Sequence, residues 1–142
     1  MEYNVNLHIE VKKDGQWHHL SAPALYESSV DDNGRFVDLI AGIYNADRVV
    51  RPLRGLPKDR TFVTDFALKQ AARDGDVHHM GYLTADELNA VQDALFAYYE
   101  DLKNRGRSDV PSSKYAFDLE LAYFHTAIEG WDDMRLVFWF KD

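Results

Sequence analysis

Tyr3-Asn4-Val5-Asn6-Leu7-His8-Ile9-Glu10-Val11 sets an apolar residue at every second position and a polar one between. Successive side chains of a strand point to opposite faces, so this alternation predicts a strand with one buried face. Asp14-Gly15 follows with turn chemistry suited to positive φ, and Gln16 to Leu20 is expected to return antiparallel as the second arm of a hairpin. At the other end of the chain Arg135-Leu136-Val137-Phe138-Trp139-Phe140 is rich in aromatic and β-branched residues and too short for a typical helix. Met134 to Phe140 therefore reads as a central strand. Hairpin and strand bury their faces only by meeting across whatever lies between them. The expected fold is thus α+β: a small, mostly antiparallel sheet of three or four strands, the N-terminal hairpin plus the C-terminal strand, covered on one side by about four helices.

The intervening sequence supplies the helices. Phe36, Leu39, Ile40 and Ile43 fall at i, i+3, i+4 and i+7, predicting a short amphipathic helix over Gly34 to Ile43, capped by Asp31, Asp32 or Asn33. Ala24 to Glu27 is a possible short extended piece bounded by Pro23 and Ser28-Ser29. Tyr44 to Asp59 carries Pro52, Gly55 and Pro57 without periodicity and reads as an ordered loop. Thr61 starts a second helix with Val63, Phe66, Ala67 and Gln70 on one side, and Gly75 ends it. Thr84-Ala85-Asp86-Glu87 has the residues of a capping box, and Leu88, Val91, Leu95 and Leu102 follow at helical spacing to near Gly106. A last stripe, Phe117, Leu121, Phe124 and Ile128, stops at Gly130. There is no repeat and no composition break, so residues 1–142 are expected to form one domain.

The totals narrow the functional classes. A chain of 142 residues buries roughly two thirds of the surface its unfolded form exposes and needs no covalent staple. It has no cysteine, which removes disulfides, thiolate metal sites and cysteine nucleophiles together. No apolar run approaches the roughly 20 residues of a membrane span, and Met1 to Glu10 lacks the features of a secretory signal, so a cytoplasmic location is expected. The net charge of −8 has the wrong sign for direct nucleic-acid binding. The charge is uneven. Arg48 to Arg73 holds seven of the sixteen basic residues against two acids, whereas Asp86 to Asp142 holds twelve acids against six bases.

Arg35-Phe36-Val37-Asp38-Leu39-Ile40-Ala41-Gly42, Arg54-Gly55-Leu56-Pro57, Tyr82-Leu83-Thr84 with Glu87-Leu88, and Arg135 to Phe140 occur in an order that resembles a family of short proteins encoded in bacterial and phage genomes, several in prophage neighbourhoods. The chain departs from that pattern at His78-His79-Met80-Gly81, in place of a more polar stretch, and at Lys141, where an acid is usual. The resemblance implies a phage association. It carries no activity and no functional residue.

Three groups of residues suggest sites. Asp74, Asp76, His78 and His79 concentrate potential ligands for zinc, manganese or iron within six positions, although the spacing matches no established motif and a solvated helix end accounts for them as well. Tyr44, Asn45, Arg48, Arg51 and Arg54 can form a pocket in which guanidinium groups fork onto phosphate while the ring stacks on a base, or the arginines can pair with Asp38, Asp47 or Asp59 and hold the loop. Tyr98 and Tyr99 cannot both face one core direction, and Tyr123 and Trp131 fall off the inner stripe, so the four suggest an aromatic partner surface beside acids or, equally, scattered surface aromatics. His18-His19 on a strand should point to opposite faces and cannot readily share a ligand.

No nucleophile elbow, phosphate loop or established metal motif is present, so no catalytic residue and no cofactor are assigned. The leading expectation is a non-enzymatic, acidic interaction protein, a phage or prophage accessory factor that binds or inhibits a host protein or associates with itself. An acidic face of this kind can occupy a nucleic-acid-binding groove on a host enzyme. The alternative is a nucleotide- or phosphate-binding protein, or a metal-dependent phosphate-directed enzyme, built from the 44–54 loop and the 74–79 segment. An assembly component of a virion is a third reading.

Overall fold

The computed structural model describes residues 4–22, 35–106 and 130–142. Four strands, β1 (Asn4–Lys13), β2 (Gln16–Ser21), β3 (Val77–Thr84) and β4 (Asp133–Lys141), form one sheet in the order β2-β1-β4-β3, with every neighbouring pair antiparallel. Three α-helices lie among the described residues: α1 (Arg35–Ala41), α2 (Phe62–Asp74) and α3 (Ala85–Asn104). The α+β class and the antiparallel sheet are as expected. The helix expected around Phe117 to Ile128 and the extended piece at Ala24 to Glu27 lie outside the described residues, as do the caps expected for α1.

The first and last strands meet along their whole length. Asn4 pairs with Lys141 and Lys12 with Asp133, which sets Leu7 opposite Phe138, Ile9 opposite Leu136 and Val11 opposite Met134 on one face. On that face α1 and α3 close the core. Phe36, Val37, Leu39, Ile40 and Ala41 of α1 are all buried, so α1 is apolar nearly all round and sits inside the fold rather than on its surface. Leu88, Val91, Leu95 and Leu102 of α3 complete the cluster. The α3 capping box forms as the sequence predicts: Thr84 Oγ1 accepts from Glu87 N, and the Glu87 carboxylate accepts from Thr84 N at 2.9 Å.

Strand β3 was not foreseen. Its pairing with β4 slips between His78 and Gly81, where His79 adopts φ 50, and this bulge erases the alternation by which a strand is recognised. Gly81 lies where a Cβ would stand 2.8 Å from the Phe138 ring, so the strand crosses that ring only because the side chain is missing.

The opposite face of the sheet mixes buried charges with apolar side chains. His8, Glu10, Arg135, Val137 and Trp139 are buried there, and α2 lies over part of it, turning its single buried residue, Thr64, inward.

Candidate interaction site

Helix α2 is fixed to the sheet at its N-terminus by a charge network, with half-buried Ala67, Leu68 and Ala71 following on the side of buried Thr64. Glu10 alternates with the core residues of β1 and is fully buried. Its Oε2 accepts hydrogen bonds from Thr61 N at 2.8 Å, Thr61 Oγ1 at 2.7 Å and Thr64 Oγ1 at 2.7 Å. Its Oε1 accepts from Arg135 Nε at 2.8 Å, and Arg135 Nη2 stands 2.7 Å from the same oxygen. Thr61 is also the N-cap of α2, accepting from Thr64 N, so one carboxylate fixes both the cap and the first turn. Burial alone would raise the Glu10 pKa; the bonds from Thr64, Thr61 and Arg135 outweigh it and hold the carboxyl below the usual range. Arg135 is saturated in turn. Nη1 donates to Asp59 Oδ1 at 2.8 Å, Nη2 donates to the Asp59 carbonyl at 3.2 Å, and the Trp17 ring lies 3.8 Å from the guanidinium carbon.

This anchoring leaves the apolar side of α2 in solvent. Phe62 is 81% exposed, Phe66 53% and Val63 49%, and the two phenyl rings stack at 6.2 Å. Of the side that periodicity picks out in the sequence, Val63, Phe66 and Gln70 are therefore exposed and Ala67 half-buried, and the one fully buried residue of the helix is a threonine. Each phenyl ring would gain roughly 1.5–3 kcal/mol on full burial, so leaving two of them out is a cost that internal packing does not recover. Arg60, just before the cap, pairs with Asp65 at 2.8 Å, and Lys69 reaches the same carboxylate at 2.8 Å.

The residues singled out in the sequence fall elsewhere. In the Tyr44 to Arg54 loop the arginines are taken up internally. Asp38, in the first turn of α1, is fully buried; its Oδ1 accepts from Tyr44 N at 2.6 Å and Asn45 N at 3.0 Å, and its Oδ2 accepts from Arg48 Nη1 at 3.1 Å. Arg51 Nε lies 3.1 Å from Glu87 Oε2. Arg54 bonds to the other Glu87 oxygen and to the Tyr82 carbonyl, and stacks on the Tyr82 ring at 3.9 Å. The loop is thus stitched to α1 and α3 by Asp38 and Glu87, with the Tyr44 ring left exposed. No set of free guanidinium groups faces a common ligand.

Asp74, Asp76, His78 and His79 do not come together as a ligand group: among the described residues no three His, Asp or Glu side chains are placed to hold a metal. The bulge at His79 instead brings its Nδ1 within 2.7 Å of His78 Nδ1, and His78 Nε2 lies 2.9 Å from Asp142 Oδ1. Asp74 approaches Lys141 Nζ at 4.0 Å, and Asp76 accepts from Asp142 N through its backbone carbonyl.

Tyr98 is half-buried under the Arg35 guanidinium, and Trp131 packs against the core beside His18. Neither is surplus: each fills space beside the core. Tyr123 lies outside the described residues, and nothing is described of the Tyr99 side chain. His19 turns to the polar face, where its Nε2 meets His8 Nδ1 at 3.0 Å, while His18 points away from it. His8, stacked on Trp139 at 4.9 Å, has its pKa pushed down to about 4 by burial, reinforced by His19 and opposed by Glu10.

A hollow of about 360 Å³ opens beside the Arg135 network, lined among others by Lys12, Trp17, Lys58, Asp59, Tyr82 and Asp133. Among the described residues no helix is long and apolar enough to cross a membrane. Comparison of the chain with family models, with curated proteins and with solved structures finds no match in any of the three.

Proposed function

We propose that this chain is a non-enzymatic interaction protein that docks a protein partner through the outer face of α2. The observation that carries the reading is the exposed run Phe62, Val63 and Phe66 on a helix whose one fully buried residue is a threonine bound to a buried carboxylate. A helix serving only to cover the sheet would turn its phenylalanines inward. One that must offer them to a partner needs another means of attachment, and Glu10 supplies it. The narrower form, a phage or prophage accessory factor acting on a host protein, rests on the resemblance of the segment order.

The test is a photo-crosslinking residue in place of Gln70, which is exposed beside the phenylalanines, in protein expressed in its own cellular setting. A discrete adduct that disappears in the F62S/F66S variant supports the reading. An adduct pattern unchanged by that variant, or the same partner recovered by both proteins at moderate salt, removes it.

A second reading, small-ligand binding, draws on the hollow beside Arg135, whose volume is at the lower end of ligand sites. Native mass spectrometry of gently purified protein tests it: a mass excess lost on denaturation favours a ligand, and a clean polypeptide mass leaves docking through α2 as the reading to pursue.

A further inference from the structure

Building on that docking face, we infer that its partner is an acidic amphipathic helix laid along the seam Phe62, Phe66, Lys69 and Arg73. These four residues are spaced four, three and four apart, so they form one stripe about 17 Å long on the exposed side of α2. The stripe is divided in character. Its N-terminal half is the stacked ring pair, and its C-terminal half is two cations. A partner that matches it presents apolar side chains to the rings and, one to two turns along, carboxylates to Lys69 and Arg73.

The charge distribution favours that occupant. Of the seven bases between Arg48 and Arg73, Arg48, Arg51, Arg54 and Arg60 are paired with acids, so the positive charge offered beside the phenylalanines is that of Lys69 and Arg73 in the C-terminal half of the stripe. Among the described residues Lys69, itself exposed, pairs only with Asp65 at i,i+4, a carboxylate that Arg60 also holds, so a partner carboxylate can replace that contact at little cost. Arg73 is exposed and has no ion pair among the described residues. A second copy of the chain fits less well. The exposed side of its α3 offers Asp86, Asp93 and Glu100, but none of the exposed large apolar side chains among the described residues belongs to α3, so the rings would remain uncovered.

The experiment titrates the full isotope-labelled chain with two synthetic amphipathic helical peptides that share one leucine seam, one flanked by glutamates and one by lysines, and with phosphatidylserine-containing vesicles. The expected result is that the glutamate peptide shifts the α2 amides and binds at least tenfold more tightly than the lysine peptide, with the order reversed in a K69E/R73E variant of unchanged melting temperature. Equal affinity for both peptides, lost in F62S/F66S, overturns the acidic partner while leaving α2 as a docking face. Preference for the vesicles over either peptide also overturns it. If no probe shifts α2, the inference fails; if crosslinking at Gln70 is also insensitive to F62S/F66S, the docking reading fails separately.

Discussion

Replacing Glu10 by glutamine is the sharpest perturbation of the attachment of α2. The carboxylate accepts three hydrogen bonds on one oxygen, from Thr61 N, Thr61 Oγ1 and Thr64 Oγ1, and the Arg135 guanidinium on the other. Glutamine keeps the shape but has one acceptor oxygen. If the amide nitrogen faces Arg135, two donors oppose each other and a buried cation keeps only Asp59; if it faces the threonines, Thr61 N, which cannot reverse its role, loses its partner. Breaking a buried ion pair by removing one member costs about 3–5 kcal/mol, because the remaining charge stays desolvated. For a chain of this size that amounts to a fall in melting temperature of roughly 6–20 °C, at about 2–4 °C per kcal/mol. Urea unfolding followed by circular dichroism gives the free energy, and hydrogen exchange gives its location, with the Phe62–Asp74 amides losing protection ahead of those of β1 and β4. A loss below about 0.5 kcal/mol, within the range of ordinary surface substitutions, would show that the network does not hold the helix.

Acid should weaken the fold in two stages. His8 has an ordinary pKa of 6.5 and a folded value near 4, so the folded state refuses a proton that the unfolded chain binds; stability is full above about pH 6.5 and falls by up to roughly 3 kcal/mol as pH drops to 4. Glu10, held below its ordinary value, adds a further loss as pH falls beneath the usual glutamate range, and melting temperatures of H8F and wild type measured from pH 7 to beneath that range separate the two, the variant losing the His8 part of the decline and keeping that of His19 and His79, which burial also holds below the ordinary histidine value. Gly81→Ala should cost about 1–3 kcal/mol, because its Cβ meets Phe138 at 2.8 Å and Leu53 at 3.2 Å; an unchanged urea midpoint would mean that both side chains move aside freely. F62S/F66S should leave stability within about 0.5 kcal/mol, since neither ring is buried, and a large loss on calorimetry would place those rings in the fold rather than on a docking face.

What the sequence reveals follows from how far each residue's role is local. Strands β1 and β4 are legible because Leu7, Ile9 and Val11 alternate cleanly and Arg135 to Phe140 is dense in strand formers. The start of α3 is legible because Thr84 and Glu87 complete their bonds within four residues. Strand β3 is hidden by a bulge at His79 that removes the period it would otherwise show. Glu10 is the more instructive miss. A polar residue between two core residues of a strand reads as facing solvent, and only its partners at Thr61, Thr64 and Arg135, between 51 and 125 positions away, make it a fully buried anchor. The α2 stripe was visible, but periodicity reports that a helix has two sides and does not report which one faces inward.

That inversion ties stability to docking. An apolar attachment is insensitive to pH and would compete with a partner for the same phenylalanines. Attachment through Glu10 leaves Phe62 and Phe66 exposed for the proposed partner, but it makes the helix dependent on one carboxylate remaining ionised and on Arg135 remaining in place. Protonating Glu10 weakens the bonds to Thr61 and Thr64 together, so the N-terminus of α2, where both rings sit, is the first part to loosen. Partner affinity should therefore fall steeply once pH drops beneath the usual glutamate range, after the smoother loss of stability that His8 causes, whereas the core closed on the other face by α1 and α3 keeps its packing. Affinity measured alongside β4 amide protection from pH 7 to well beneath the usual glutamate range distinguishes the two: a parallel decline would mean that α2 and the core form one cooperative unit, and that the polar face is structural cover with no separate presenting role.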